Sequence, residues 1–382
     1  MILSAPERKA WERFCNLARV AAYTVISKQK EGDNLEKYFA ASNSAHGFCN
    51  YYNECFSSAD KLYIIKGGPG TGKSGFMRRC AALAEDKGYH VEYFYCSSDP
   101  DSLDGILIHS SKIIAVIDGT APHSYEMVYP GVRDNIINLG EAWDESVLDK
   151  YRAEIFRLCE GKTLEYRRAY DATGMCGNLF AVISSYVNKL IIGDKLESFA
   201  AKLTGKLDAR GCGHVGIRLI DSLSMKGCVR FDTFERMADR CVVVGDTYGA
   251  GHIMLDKIRR QLDLRSCDYY ISYDPIIPNK INGIFERGSR VAFVLSDPRI
   301  MLDIDAERIE HINMRRFIRA EASEVKAELK YTFSLYRSGI ELAQRHLARA
   351  AGHHFALEEI YKEAMDFDVV NKMTDSFCKK IL

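Results

Sequence analysis

Apolar and polar positions alternate along the 382-residue chain in one series that is read twice. In the first half, Leu62 to Ile65 form an unbroken apolar run ending at a cluster of glycines. Phe76, Cys80 and Leu83 then recur at the spacing of one helix face. That order predicts strand, loop and helix. The segments HVEYFYC (90–96) and KIIAVID (112–118) are short, rich in β-branched and aromatic residues and bounded by polar turns, and they predict two further strands around an aspartate-proline turn at Asp99-Pro100. VLDKYRAEIFRLCEGKTLEYRRAY (147–170) and AELKYTFSLYRSGIELAQRHLARA (327–350) carry helical spacing with charged outer faces, so a helical segment is expected at the end of each half.

The halves align. HGFCNYYNECFSSADKLYIIKGGPGTGKS (46–74) matches MKGCVRFDTFERMADRCVVVGDTYGAGHI (225–253) in its glycines and apolar run, which places Lys73 opposite His252. SSDPDSLDGI finds SYDPIIPNKINGI, with Asp99-Pro100 against Asp274-Pro275 and Gly105 against Gly283. KIIAVIDG meets RVAFVLSD, so Asp118 falls opposite Ser296 or Asp297. Three matches in one order indicate duplication. The expected fold class is α/β: two tandem P-loop NTPase-like three-layer domains with mainly parallel sheets, each followed by helices. Expected boundaries are a helical extension over 1–38, a domain with an intact loop over 39–207, and a degenerate repeat with C-terminal helices over 208–382. The glycine-rich stretch 204–216 serves as linker.

Residues 67–74, GGPGTGKS, satisfy G-x-x-x-x-G-K-[ST] in the required setting of strand before and helix after. Glycines let successive backbone N–H groups turn inward, and a helix beginning near Gly72 adds its positive end, so Gly67, Gly68, Pro69, Gly70, Thr71, Gly72, Lys73, Ser74 and Gly75 are the expected nucleotide cradle. Lys73 is expected on the β- and γ-phosphates, and Ser74 on a Mg²⁺ ion. Asp118 ends an apolar strand where a carboxylate can face that ion, as a Walker B aspartate. Gly119 follows it, where many strand-inserted ATPases carry a catalytic glutamate, so the general base must lie elsewhere. Asp99, at the open end of the second strand, is the leading catalytic candidate beside Lys73 and Asp118, ahead of His123 and Glu126. In the second copy, GDTYGAGHI keeps Gly249 and Gly251 but replaces the lysine with His252 and the hydroxyl with Ile253, while Asp246 adds negative charge. That loop is expected to be inactive.

Composition narrows the partners. Lys+Arg and Asp+Glu balance at 52 each, so bulk charge draws the chain to neither nucleic acid nor an anionic membrane. No apolar run approaches a bilayer span, and Glu7, Arg8 and Lys9 stand where a secretory signal needs an apolar core, which points to the cytoplasm. Twelve scattered cysteines without a CxxC pair read as reduced, mostly buried thiols.

With GGPGTGKS, CSSDPDSLDG, DGTAPH and PGVRDNIINLGEAWD in a repeated frame, the chain resembles an uncharacterised bacterial family of tandem-duplicated P-loop ATPase-like proteins, of the P-loop containing nucleoside triphosphate hydrolase superfamily. The resemblance implies a nucleotide-binding fold and ATPase activity, with no established substrate. The family's second copy often keeps a Walker lysine, and His252 departs from that. The function expected is a Mg-ATP-binding ATPase with one active site and a degenerate partner half, packed together as an intramolecular pseudo-dimer. The alternatives are a small-molecule phosphotransferase, or a nucleotide-sensing scaffold that turns over little and presents its helices to a protein client.

Overall fold

A computed structural model describes residues 35–122, 125–207, 211–296 and 309–382. The first repeat runs β1 (Glu36–Phe39), β2 (Ala41–Ser44), β3 (Gly47–Asn50), α1 (Tyr52–Cys55), β4 (Lys61–Lys66), α2 (Lys73–Asp86), β5 (His90–Tyr95), β6 (Leu103–His109), β7 (Ile113–Asp118), β8 (Asp134–Asn138), α3 (Glu145–Lys150), α4 (Arg152–Leu190) and α5 (Gly193–Thr204). The second runs β9 (Val215–Ile217), β10 (Asp221–Ser224), β11 (Gly227–Arg230), α6 (Thr233–Met237), β12 (Arg240–Gly245), α7 (Gly251–Leu264), β13 (Tyr269–Tyr273), β14 (Ile281–Glu286), β15 (Val291–Ser296), β16 (Ile309–Ile312), α8 (Lys326–Ala364) and α9 (Phe367–Ile381).

The fold is α/β, with two six-stranded, mainly parallel sheets, each followed by helices. The sheets have equivalent orders, β1-β5-β6-β7-β4-β8 and β16-β12-β15-β14-β13-β9 read from opposite ends. In each, the third strand along (β6, β14) runs antiparallel to both neighbours. The alternation pattern missed β6 because a glycine and an aspartate interrupt its apolar run, although Leu103 to Ile108 are buried throughout. Two further expectations are corrected. Glu36–Phe39 is a strand, not helix, because Tyr38 and Phe39 are buried beside β5; residues 1–34 lie outside the described residues. Leu83 is 37% exposed, and the buried face of α2 is completed by Met77, Ala81 and Ala84.

The repeats meet on a local twofold axis, where Phe39 N donates to Leu219 O at 2.8 Å across an antiparallel bridge between matching positions. Around it the inner faces of both sheets share one core, with Tyr38, Phe56, Leu62 and Phe94 packed together with Ile220, Phe234, Val243 and Phe285. The outer layers are exchanged. Helix α5 of the first repeat packs on α7 of the second, and α9 of the second packs on α2 of the first. Leu196, Ala200 and Leu203 therefore join Val242 and Ile258 in one core, while Met365, Val370 and Cys378 join Phe76, Met77 and Cys80 in the other.

Short backbone bridges hold each crossing in place. Asp144 N donates to Ala364 O and Asp366 N to Ala142 O, both at 2.8 Å; Ile192 N donates to Phe317 O and Arg319 N to Leu190 O, both at 2.9 Å. Helices α4 and α8, each 39 residues long, run antiparallel between the halves. Gly161 lies against His353, Glu165 hydrogen bonds to His346, and Gly339 lies against Cys176. Equal length makes the helices matchable end to end, so that Lys162 corresponds to Tyr336 and Phe180 to His354.

Candidate functional site

The glycine loop 67–72 links β4 to α2, with Gly72 in the left-handed region (φ 91°) as the residue before the helix. The leading N–H groups of α2 have no intrahelical acceptor, so they and the helix dipole face the loop's interior. Lys73 folds back into that space, donating to Gly68 O at 2.7 Å and Gly67 O at 3.2 Å, with its ammonium 3.6 Å from Asp118 Oδ2. Asp118 reaches it because β7 pairs directly with β4, Ile65 opposite Asp118, and no strand is inserted between them. Its Oδ1 accepts from Thr120 N at 2.8 Å, and Thr120 Oγ1 donates to Gly67 O at 2.9 Å, tying the two strand ends together.

Ser74 is beside the loop that bears Asp99: its Oγ accepts from Leu103 N at 3.1 Å, leaving a further lone pair for another partner. Asp99 is half-buried. Burial first, and then the negative charges of Asp101 and Glu358, hold its carboxyl above the ordinary aspartate range against the opposing Asp101 N–H and Lys226. Lys226, at the tip of the hairpin formed by β10 and β11, pairs with Asp101, and Met225 N donates to Ser98 O at 3.1 Å. The second repeat thus buttresses the Asp99 loop. The structure brings Lys73, Ser74 and Asp118 together, with the Asp99 loop alongside. His123 lies outside the described residues, and Glu126 is exposed. Gly119 explains the missing glutamate: a Cβ there would stand 2.2 Å from Ile64 Cγ2.

Sequence reasoning missed the groups that arrive from the exchanged helices. Tyr361 of α8 lies over Gly68, its ring Cε1 2.6 Å from where a Cβ would be, and the Glu358 backbone lies over Gly70. Phe367 and Val370 of α9 approach Gly72. Glu358 is bracketed by His354 at 3.4 Å and Lys362 at 3.3 Å, and although burial opposes it, its interactions with these two side chains hold its carboxyl below the ordinary range. Nothing local in the sequence connects residue 358 to residue 70. The equal helices offered the only signal.

The second loop has the same outline and a different content. Asp246 stands at the position of Gly67, and its Oδ1 accepts from Gly251 N at 2.7 Å, so a carboxylate of the chain itself sits on the first N–H of α7. Lys280 neutralises it at 3.2 Å, and also pairs with Asp274 at 3.4 Å. His252 Nδ1 is 2.8 Å from Gly249 O and its ring 5.6 Å from that of Phe180; burial, then Lys280, holds its pKa below the ordinary histidine value.

Matching hydrogen bonds revise two expected pairings between the copies. Cys96 N donates to Ser102 O as Asp274 N does to Lys280 O, and Met225 N donates to Ser98 O as Ala45 N does to Ile276 O. Asp274 is therefore the counterpart of Cys96, and Asp99 that of Ile277; the shared Asp-Pro dipeptide is a coincidence three residues out of register. Likewise Ile65 pairs with Asp118 as Val244 pairs with Leu295. The counterpart of Asp118 is Leu295, not Ser296 or Asp297, and its Cδ2 packs 2.7 Å from where a Cβ on Gly251 would stand.

Among the described residues no cluster of three or more His, Cys, Asp or Glu side chains could hold a metal ion by itself, and no helix is long and apolar enough to cross a membrane. None of the family models, curated proteins or solved structures compared with the chain matches it.

Proposed function

We propose that the first repeat binds Mg-ATP in the loop 67–75 and hydrolyses it to ADP and orthophosphate, water supplying the oxygen and a proton being released. The second repeat is its non-catalytic structural partner. The observation that carries this reading is the placing of Lys73 between Gly67 O, Gly68 O and Asp118 at the start of α2. A lysine, a strand-end carboxylate and a helix start converge there on one space suited to phosphate.

The donor set fits a hard divalent cation, since the Ser74 hydroxyl and the Asp118 carboxylate are both oxygen donors beside the loop. When bound, magnesium would neutralise phosphate charge. The protein's own part is to hold the phosphates on backbone N–H groups and Lys73, and to keep Asp118 oriented through Thr120. Asp99, whose affinity for a proton is raised by burial, is suited to orient the attacking water.

Calorimetric titration tests the assignment. Lys73→Ala should weaken Mg-ATP binding and abolish turnover with the fold intact. Asp118→Asn should retain nucleotide affinity and lose its dependence on magnesium. Unchanged affinity in Lys73→Ala removes the loop from the site.

A further inference from the structure

A second lysine lies on a helix that packs against the cover of the loop. Lys162 lies on the turn of α4 that packs against the turn of α8 covering the loop: Gly161 abuts His353, and Leu158 shares a core with Leu357, Ile360 and Met225. That stretch of α8 is the one whose Glu358 and Tyr361 rest on Gly70 and Gly68. Lys162 is half-buried, and among the described residues it makes no hydrogen bond or ion pair. The carboxylates around the loop already have partners of their own, Glu358 with His354 and Lys362, Asp101 with Lys226, and Asp118 with Lys73 and Thr120 N. One turn back, Cys159 offers only a thiol, a weak acceptor.

We propose that Lys162 is an intramolecular finger whose ammonium meets the terminal phosphate of a triphosphate bound at the loop, a reading that rests on the function proposed above. A half-buried ammonium without a counter-charge is unfavourable, and a second ammonium beside it makes it more so, unless an anion enters between them. The packing of its turn on the stretch of α8 that covers Gly68 and Gly70 directs Lys162 toward the space of Lys73, and in keeping with that, burial, and after it repulsion from Lys73, act to hold it below the ordinary lysine range. Lys73 of such a loop reaches the β- and γ-phosphates, which assigns that end of the nucleotide to both.

The second repeat supplies an internal control. Where Lys73 has become His252 and Asp118 has become Leu295, Lys162 has become Tyr336, a buried residue whose ring lies 6.4 Å from that of Phe180. The cations are lost together, as they should be if both served one ligand. Lys162 forms no covalent bond to substrate; it neutralises charge as the bond to the leaving ADP breaks.

The test compares wild type, Lys162→Gln and Lys162→Arg by calorimetric titration with Mg-ATP and Mg-ADP, alongside phosphate release and melting of the unliganded protein. Lys162→Gln should weaken ATP binding about tenfold or more, leave ADP binding within about twofold, and slow turnover on the order of 100-fold, the range seen when one transition-state donor is removed. Lys162→Arg should recover part of the preference for ATP. Melting of unliganded Lys162→Gln should occur at or above the wild-type temperature, because an uncompensated charge is removed; a lysine retained for structure would lower it. The inference alone is overturned if wild type binds and hydrolyses ATP while Lys162→Gln keeps both properties, or loses ATP and ADP affinity equally. Wild-type protein that binds no nucleotide overturns the function reading and this inference with it.

Discussion

The backbone carbonyl oxygen of Glu358 lies 2.6 Å from the point a Cβ on Gly70 would occupy, and Gly70 itself has φ 71°, so the loop of one repeat and the long helix of the other meet backbone to backbone. No side chain fits between them. The first loop is thereby seated on the partner repeat before any ligand arrives.

Gly70→Ala should therefore lower stability by about 1–3 kcal/mol, through its left-handed backbone and through displacement of α8. Gly75→Ala is the matched control: it lies within α2, nothing stands within 4 Å of its added Cβ, and alanine favours a helix. Denaturant midpoints distinguish the two. Equal midpoints would show that the contact with Glu358 contributes nothing.

The fold was legible where short-range chemistry dictates it. Lys61–Lys66, the glycine loop and the helix from Lys73 follow from an apolar run, φ-permissive residues and helical spacing, and the first two groups of the candidate site, Lys73 and Asp118, follow from the ends of the helix and of β7. What escaped depends on tertiary exchange. Tyr361, Glu358 and Lys162 lie on helices whose pattern states only that one face is buried, not against which half. The pairings of Asp99 and Asp118 with the second copy failed for another reason: an identical Asp-Pro dipeptide, or a polar residue near a strand end, outweighs an isoleucine or a leucine by eye, whereas strand register is set by hydrogen bonds and admits only Ile277 and Leu295.

Acid should loosen the interface between the halves at Glu92. This buried carboxylate receives Arg218 Nε at 2.5 Å from the other repeat and hydrogen bonds to His109 Nε2 at 2.8 Å. Burial pushes its pKa up, but Arg218 and His109 more than reverse that and hold it at about 2. The folded value is depressed, so its stabilisation is complete above the unfolded value, about 4.3, and is lost as pH falls toward about 2. At ~1.4 kcal/mol per unit this corresponds to about 3 kcal/mol. Glu92→Gln should be less stable than wild type at pH 7, since Arg218 is left buried and uncompensated, and the gap should narrow between about pH 4.5 and about pH 2. A gap independent of pH across that window would remove Glu92 as its source.

Severing the chain at the linker should produce two fragments that fail alone and succeed together. Residues 1–207 retain α2 but lose α9, exposing the faces of Phe76, Met77 and Cys80 that Val370 and Cys378 cover; they also carry α5, whose Leu196, Ala200 and Leu203 have no second sheet to join. At roughly 25 cal/mol per Å² of apolar surface, such losses exceed the margin of an ordinary domain. Either fragment expressed singly should aggregate, whereas 1–207 and 208–382 produced together should co-purify in equal amounts. A monomeric 1–207 fragment with a cooperative melt would sink the exchange as a stabilising feature.

The second loop should resist repair at its two most visible positions. Replacing His252 with Lys and Ile253 with Ser restores the motif's cation and hydroxyl, yet Asp246 Oδ1 still accepts from Gly251 N at 2.7 Å, and Lys280 still holds Asp246 and Asp274. The helix N-terminus is already satisfied by a carboxylate that no phosphate can displace without burying two anions together. Leu295 meanwhile stands where magnesium would need a carboxylate. Calorimetric titration of His252→Lys/Ile253→Ser should accordingly find one ATP per chain, as for wild type. Adding Asp246→Gly and Leu295→Asp removes both obstacles, freeing the Gly251 N–H and supplying the missing acid, and a weak second site should then appear. Two ATP molecules bound by the double variant would overturn the role given to Asp246, because the anion it holds in place would then have been no barrier.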